Sequence, residues 1–225
     1  MVEPKVGRPG PLVKAFYGVV RGIIFGFAKL FWRLEIVGAE HIPADRPFVI
    51  APVHRSNIDF ALVATLTRTR MRYMGKDSLW KIKPLGAIWS VLGAFPVRRG
   101  SADREALRMS MSIIEHGEPL VLFPEGTRQQ GPEVQPLFEG AAYVAARTGV
   151  AIVPVGIGGS ERAMPKGSKL FRPGKIVLVV GEPLMPPQAE GPRVPRRAVR
   201  ELTAHLYVEV QRLFDEAQRL AGSPN

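Results

Sequence analysis

Short apolar runs alternate with amphipathic segments along most of this chain. Strands are predicted where β-branched residues cluster between turn signals, at 46–53, 71–75, 93–97, 119–124, 150–157 and 174–181. Helices are predicted where the apolar period is near 3.6, at 59–68, 78–91 with an interruption at Pro84, 101–117, 139–148 and 196–220. Because strands and helices alternate, the pattern predicts an α/β fold, with a layered, mostly parallel or mixed sheet flanked by helices.

The segment 12–34 has a different pattern, in which four bases interrupt an apolar stretch. At about 100° per residue, the bases share one helical arc with three glycines. The opposite arc carries Phe16, Val19, Val20, Ile23, Ile24, Phe27 and Leu30. A spanning helix of about 20 apolar residues would not carry charges at this interval. The pattern favours an amphipathic helix lying in a membrane interface, and the alternative is a core-packed helix with a solvated basic side. We therefore expect residues 1–34 to form an N-terminal interfacial helix and residues 35–225 the α/β domain.

The composition narrows the choice of partners. A chain of 225 residues with a formal charge of +11 should attract phosphates on lipids, metabolites or nucleic acid. A basic nucleic-acid-binding protein is the alternative from another class, but the chain lacks bases interleaved with aromatics and any recognised binding motif, so no nucleic-acid partner is expected. No cysteine is present, and the histidines are scattered singly apart from His54, so we expect no metal site.

Polar residues follow several predicted strands directly. His54 follows the strand 46–53, Arg98 and Arg99 follow 93–97, and the sequence EGTR at 125–128 follows 119–124. Ligand crevices of open α/β sheets lie at the carboxyl ends of strands, so these residues are candidates for one shared site.

His54 and Asp59 form a candidate acid–base pair. Residues five apart diverge by about 140° on a helix, but a loop-to-helix junction capped by Ser56 or Asn57 would let the imidazole meet the carboxylate. Asp59 would then fix the tautomer of His54 and leave the other ring nitrogen free as a base. The alternative is a loop histidine beside a first-turn acid that complements the helix dipole.

The sequence FPEGTR at 123–128 adds a second cluster of polar groups. Arg128 could hold a phosphate with its bidentate fork. Glu125 could orient this arginine or a substrate hydroxyl, and Gly126 and Thr127 add a flexible backbone position and a hydroxyl. In the alternative reading, Glu125 and Arg128 only pair across a surface turn.

Four motifs resemble those of the glycerolipid acyltransferases, the family of 1-acyl-glycerol-3-phosphate acyltransferase. The sequences HRSNID (54–59) and FPEGTR (123–128) are similar to the first and third motifs, in the same order and about seventy residues apart. GAFPVRRG (93–100) is similar to the second motif and VPVGIGG (153–159) to the fourth. The likeness runs from about residue 35 to 185.

The resemblance implies an O-acyltransferase in phospholipid biosynthesis. His54 would be the general base, with Asp59 as its partner. The donor would be a fatty acyl thioester of coenzyme A or acyl-carrier protein, used as co-substrate without any cofactor. The acceptor would be the free hydroxyl of 1-acyl-glycerol-3-phosphate, and the product phosphatidic acid. The acceptor phosphate would contact Arg128, Arg98, Arg99 and Lys76, and the resemblance adds Glu125, Gly126 and Thr127 as substrate-binding residues.

Some features leave the acceptor open. Val53 stands where many lysophosphatidate-specific members carry asparagine, and the HRS and RR sequences also resemble glycerol-3-phosphate acyltransferases. Glycerol 3-phosphate or another glycolipid is therefore the alternative acceptor. An enzyme that handles acyl chains gains from sitting at a bilayer, which favours peripheral attachment to the anionic cytoplasmic face of the cell membrane.

Overall fold

A seven-stranded sheet forms the middle layer of the computed structural model, which describes residues 7, 9–97, 104–165, 167–187 and 194–222. The strands are β1 Glu35–Val37, β2 Val49–Pro52, β3 Arg72–Lys76, β4 Ala94–Val97, β5 Leu120–Val121, β6 Ile152–Gly158 and β7 Val177–Val180. Their order is β1-β7-β6-β2-β5-β3-β4. The neighbours are parallel except β6 and β7, which are antiparallel. The sheet is therefore mixed, and the predicted fold class is confirmed.

Helices cover both faces of the sheet. They are α1 Pro11–Phe31, α2 Asp59–Val63, α3 Lys83–Val91, α4 Arg104–Glu115, α5 Gly140–Thr148, α6 Ser160–Ala163 and α7 Arg196–Leu220. Parallel crossovers are right-handed, and those through α2 and α3 run in the opposite direction along the sheet from those through α4 and α5. The two pairs therefore lie on opposite faces. α1 contacts α2 on the first face, and α7 contacts α5 on the second.

The contact between α7 and β6 explains part of the fourth motif. Every residue of β6 is buried. A Cβ added to Gly156 would lie 2.1 Å from the carbonyl oxygen of Leu213, and one added to Gly158 would lie 2.2 Å from that of Ala217. These glycines let the α7 backbone lie directly on the strand, so this motif is part of the core.

The predicted N-terminal helix is present as α1, but one of its bases faces inward. Arg21 donates from Nε to the carbonyl of Thr67 at 2.6 Å and from Nη2 to that of Thr65 at 2.8 Å. These carbonyls follow the end of α2, where the helix leaves acceptors without intrahelical partners. Val20 and Ile24 are half-buried, so the exposed apolar stripe is narrower than predicted. It consists of Leu12, Phe16, Val19, Ile23, Phe27 and Leu30.

Candidate functional site

The carboxyl ends of β2, β5 and β3 meet at one edge of the sheet. His54 follows β2 by two residues, and its neighbour β5 leads into the loop 122–129. Lys76 is the last residue of β3, which pairs with β5 on the far side from β2. The topology thus brings the first and third motifs to adjacent positions, with Lys76 at the same edge. Arg98 and Arg99 lie outside the described residues.

His54 and Asp59 are hydrogen-bonded to each other. Nδ1 of His54 lies 3.0 Å from Oδ2 of Asp59, a carboxylate that is completely buried. The same oxygen accepts the backbone N–H groups of Arg55 at 2.7 Å and Ser56 at 2.6 Å. Because a carboxylate only accepts, Nδ1 carries the hydrogen in this pair. Asp59 therefore fixes both the turn before α2 and the tautomer of the imidazole.

The turn before α2 differs from the predicted cap. The N-cap residue is Ile58, whose side chain makes no capping hydrogen bond. The carboxylate of Asp59 instead accepts hydrogen bonds from the backbone N–H groups of Arg55 and Ser56, which precede the helix. These bonds hold His54 beside the first turn of α2.

The other nitrogen of the His54 ring is available for chemistry. Within the described part of the chain, no residue hydrogen-bonds to Nε2, and the side chain is 14% exposed. The imidazole stacks on Phe123, with ring centroids 4.1 Å apart and 28° between the planes. The ring is therefore held by a carboxylate on one edge and an aromatic face on one side, while Nε2 can meet a substrate.

A buried ion pair joins the first and third motifs. Nη1 of Arg55 donates to both carboxylate oxygens of Glu125, at 2.9 and 2.8 Å. Glu125 also accepts the backbone N–H of His54 at 3.1 Å and that of Gln135 at 3.0 Å. The guanidinium of Arg55 lies 4.7 Å from the ring centroid of Phe214 on α7. Glu125 thus contacts Arg55 and the His54 backbone, and no hydrogen bond to Arg128 is present.

Arg55 is the residue of this site that sequence reasoning missed. It lies within HRSNID, directly after His54, but its partner Glu125 is 70 positions away. A buried arginine requires a carboxylate partner. Glu125 is the one acid in the third motif, and its presence was the signal that could have linked this motif to Arg55.

Gly126, Thr127 and Arg128 form the exposed side of the loop. Gly126 has φ of 70°, in the left-handed region that favours glycine, and a Cβ there would lie 2.7 Å from the exposed Phe138 ring, so any other residue would be strained. The backbone N–H of Gln129 donates to the carbonyl of His54 at 2.9 Å, which holds the loop beside the imidazole. Arg128 is half-buried and makes no ion pair with any residue that the structure describes. Its guanidinium therefore has no carboxylate partner among those residues.

The comparisons show which proteins this chain resembles. The model of the family described as Acyltransferase matches residues 33–158, more than half of the chain. A 1-acyl-sn-glycerol-3-phosphate acyltransferase of Bacillus subtilis is 29% identical over 189 residues, which cover 83% of this chain and 91% of that protein. The chloroplastic 1-acyl-sn-glycerol-3-phosphate acyltransferase BAT2 of Brassica napus is 28% identical over 71% of this chain, which spans only 47% of that protein. The chain thus spans about half the length of this plant relative.

A solved structure shares the fold. The crystal structure of the 1-acyl-sn-glycerophosphate (LPA) acyltransferase PlsC from Thermotoga maritima matches with a TM-score of 0.75 and 28% sequence identity. The match covers 91% of this chain and 80% of that one. Sequence and structure therefore lead to the same group of proteins, and the resemblance read from the motifs is confirmed.

Proposed function

Because the chain belongs to the acyltransferase family, we propose that it is an O-acyltransferase that acylates the free hydroxyl of 1-acyl-glycerol-3-phosphate and forms phosphatidic acid in phospholipid biosynthesis. The relatives named above carry this acceptor in their names. The observation that carries the proposal is the hydrogen bond between His54 and Asp59, at a sheet edge where, among the described residues, Nε2 has no hydrogen-bond partner and Arg128 has no ion-pair partner. The donor is an acyl thioester of coenzyme A or acyl-carrier protein.

In this reaction, Nε2 of His54 takes the proton of the acceptor hydroxyl while the oxygen attacks the thioester carbonyl. The tetrahedral intermediate collapses by breaking the C–S bond, and the leaving thiolate takes the proton back from the imidazolium. Asp59 stabilises the imidazolium between these steps. Such base assistance contributes typically about 10²–10⁴-fold in rate. No covalent acyl-enzyme on cysteine is available, since the chain has none.

The acceptor phosphate needs cationic partners beside this base. Arg128 supplies one, because its fork is unpaired within the described chain and its loop is tied to His54. Lys76 is exposed at the same edge, and Arg98 and Arg99 follow β4, which ends at Val97 beside Lys76. Gly126 and Thr127 present backbone and hydroxyl groups on the same loop. Glu125 acts through Arg55, by holding the two motifs together, rather than by direct contact with the substrate.

We further propose that the protein binds peripherally to the cytoplasmic face of the cell membrane. Pro11–Phe31 is long and apolar enough to cross a bilayer by length and composition. One side of this helix is nevertheless occupied by the domain, through the two bonds of Arg21 and the buried Tyr17. A spanning position would break these contacts, so an interfacial position fits the structure better.

The exposed apolar surface extends beyond α1. Phe60 of α2 contacts Trp89 of α3 at 6.1 Å between ring centroids. The layer of α1, α2 and α3, with the turn before α3, exposes Leu12, Phe16, Val19, Ile23, Phe27, Leu30, Phe60, Leu79, Ile82, Leu85 and Ile88. On α7, in the opposite layer, the exposed large apolar side chains are Tyr207 and Val208. A bilayer against the layer of α1, α2 and α3 would cover this apolar surface. The formal charge of +11 would favour anionic lipids.

The test is to incubate the purified protein with labelled acyl-coenzyme A or acyl-carrier protein and a panel of acceptors, and to identify the product. The panel contains 1-acyl-glycerol-3-phosphate, glycerol 3-phosphate and an uncharged lysolipid. The expected product is phosphatidic acid. Acylation of glycerol 3-phosphate alone would replace the acceptor, and no acylation of any hydroxyl with either donor would contradict the proposed activity.

A further inference from the structure

A loop between α6 and β7 exposes two apolar side chains between two bases. The loop comprises residues 167–172. Lys169, Leu170, Phe171 and Arg172 are all exposed, and Leu170 is 76% exposed. Four consecutive residues thus present a basic, apolar, apolar and basic side chain to the surroundings of the protein.

The topology places this loop at the edge of the sheet that carries His54. β6 ends at Gly158, which pairs with Val177 at the start of β7, so the chain between these strands turns at this edge. β2 runs parallel to β6 and ends at the same edge, two residues before His54. The start of β1 lies there as well, because Glu35 pairs with Val177. The C-terminal end of α1, at Phe31, therefore meets the loop at this edge.

Aromatic contacts join the loop to the end of α1. The ring centroid of Phe171 lies 5.3 Å from that of Trp32 and 6.0 Å from that of Phe27, which belongs to the exposed apolar stripe of α1. Nε1 of Trp32 donates to the carbonyl of Arg172 at 3.0 Å. The loop is therefore held against α1, and its apolar side chains extend the stripe into a larger continuous surface.

Hydrogen bonds join the base of the loop to the first motif. Oγ of the buried Ser56 donates to the carbonyl of Met164, the residue that ends α6, at 2.7 Å. The N–H of Arg172 donates to the carbonyl of Ala163 at 2.8 Å. The loop is thus fixed relative to the turn that carries His54, and a surface bound by the loop would be fixed relative to the imidazole.

The bases of the loop are not neutralised by acids in the described part of the chain. Neither Lys169 nor Arg172 forms an ion pair with a described residue, whereas the nearby Lys175 pairs with Glu35 at 2.7 Å. Bases beside apolar side chains match a bilayer with anionic headgroups above its hydrocarbon. An acidic protein would neutralise the bases but leave the stripe of α1 uncovered, whereas a bilayer covers both.

We propose that residues 167–172 form a second membrane-contact element, which binds an anionic bilayer beside the C-terminal end of α1 and holds the His54 edge at the lipid headgroups. The inference rests on the proposed membrane attachment and adds the contact that orients the site. β7 and β6 separate β1 from β2, so at about 4.8 Å per strand the start of β1 lies roughly 15 Å from β2. This position presents the site to acceptor lipids in the same leaflet.

The absence of cysteine gives a direct test, because one introduced thiol can carry a fluorophore. Leu170→Cys and the control Met185→Cys are each labelled with an environment-sensitive fluorophore. Met185 is 60% exposed and lies at the opposite edge, next to Leu184, which bridges to Ile152 at the start of β6. Both labelled proteins are mixed with vesicles of phosphatidylcholine and phosphatidylglycerol that contain a nitroxide-labelled lipid, and sedimentation measures binding in parallel.

We expect the emission of the Leu170 label to shift to the blue and to be quenched by the nitroxide, and the Met185 label to show neither change. Proteins that sediment with the vesicles while the Leu170 label stays in water would overturn this proposal and leave attachment through α1 intact. Failure of both proteins to sediment would overturn the proposed membrane attachment and this contact together.

A second comparison tests the bases. Lys169→Gln/Arg172→Gln removes two bases from the loop, and Arg200→Gln/Arg219→Gln removes two exposed bases from α7. The loop variant should bind the anionic vesicles about tenfold or more weakly, and the α7 variant should bind like the unaltered protein. Equal effects would show that net charge alone drives binding and would contradict the proposal. Neither comparison measures acyl transfer, so an inactive protein would count against the proposed reaction and not against this contact.

Discussion

At the residue scale, Arg128 and Glu125 show how two charged groups in one loop can have different surroundings. Glu125 is buried against Arg55, whereas Arg128 has no partner within the described chain. The motif alone left open whether these two residues pair with each other. The answer depends on Arg55, 70 positions before Glu125, and such a long-range contact cannot be read from local pattern.

Removal of the Arg128 side chain should weaken acceptor binding selectively. Charge-assisted hydrogen bonds to a phosphate are worth about 1.5–3 kcal/mol, so Arg128→Ala should raise the KM for lysophosphatidate about tenfold or more. The KM for the acyl donor should change little. Steady-state kinetics with each substrate varied in turn makes the comparison, with Arg108→Ala on α4 as the control. An unchanged acceptor KM would exclude a phosphate contact by this arginine.

The Arg55–Glu125 pair should matter for stability. Glu125→Gln keeps the shape but leaves the buried guanidinium without its charge partner, which typically costs about 3–5 kcal/mol. Urea denaturation should show this loss, and the double variant Arg55→Met/Glu125→Gln should lose less than the sum of the two single changes. The control is Glu201→Gln, which removes an equally short but exposed pair with Arg197 and should change the midpoint little. Additive losses would show that the pair does not couple the motifs.

At the scale of elements, periodicity predicted most helices and strands but not their ends. The apolar run 119–124 forms only a two-residue strand, because its last residues turn toward the site. β1 was missed, since a strand of three residues that begins with the charged Glu35 gives no measurable period. The inward position of Arg21 was also missed. The helical pattern of α1 shows which residues share a face, but it does not show that carbonyl groups after α2 lie beside that face and accept hydrogen bonds.

The close approach of α7 to β6 gives a prediction for these elements. Gly156→Ala would place a methyl group against the Leu213 carbonyl, and overpacking of this kind costs about 1–3 kcal/mol. Gly22→Ala in α1 meets no atom within 4 Å and should stabilise the helix by up to about 1 kcal/mol. Thermal unfolding of the two variants measures the contrast. A similar melting temperature for both would contradict the packing described for β6.

At the scale of the whole molecule, the apolar residues divide unequally between the two helical layers. The sequence predicted the apolar stripe on α1. That the exposed apolar residues of α2 and α3 lie in the same layer as this stripe follows only from the topology of the sheet. Right-handed crossovers place α2 and α3 in the same layer, and α1 contacts α2 there.

Membrane attachment through this layer can be tested with two matched substitutions. Val19 on α1 is 62% exposed and Val208 on α7 is 59% exposed. Val19→Glu should reduce sedimentation with anionic vesicles by about tenfold or more, because burial of a valine contributes about 1.5 kcal/mol or more and a carboxylate resists transfer. Val208→Glu should sediment like the unaltered protein. Equal behaviour of the two variants would place the membrane contact elsewhere.

The central claim is that His54 is the base that deprotonates the acceptor hydroxyl. The most direct measurement is the single-turnover rate of acyl transfer to lysophosphatidate by His54→Ala, beside the unaltered protein and the exposed-histidine control His205→Ala. The rate of His54→Ala should fall by about 10²-fold or more with an unchanged circular dichroism spectrum, and His205→Ala should keep its rate. A folded His54→Ala protein that transfers the acyl group at a near-normal rate would contradict the claim.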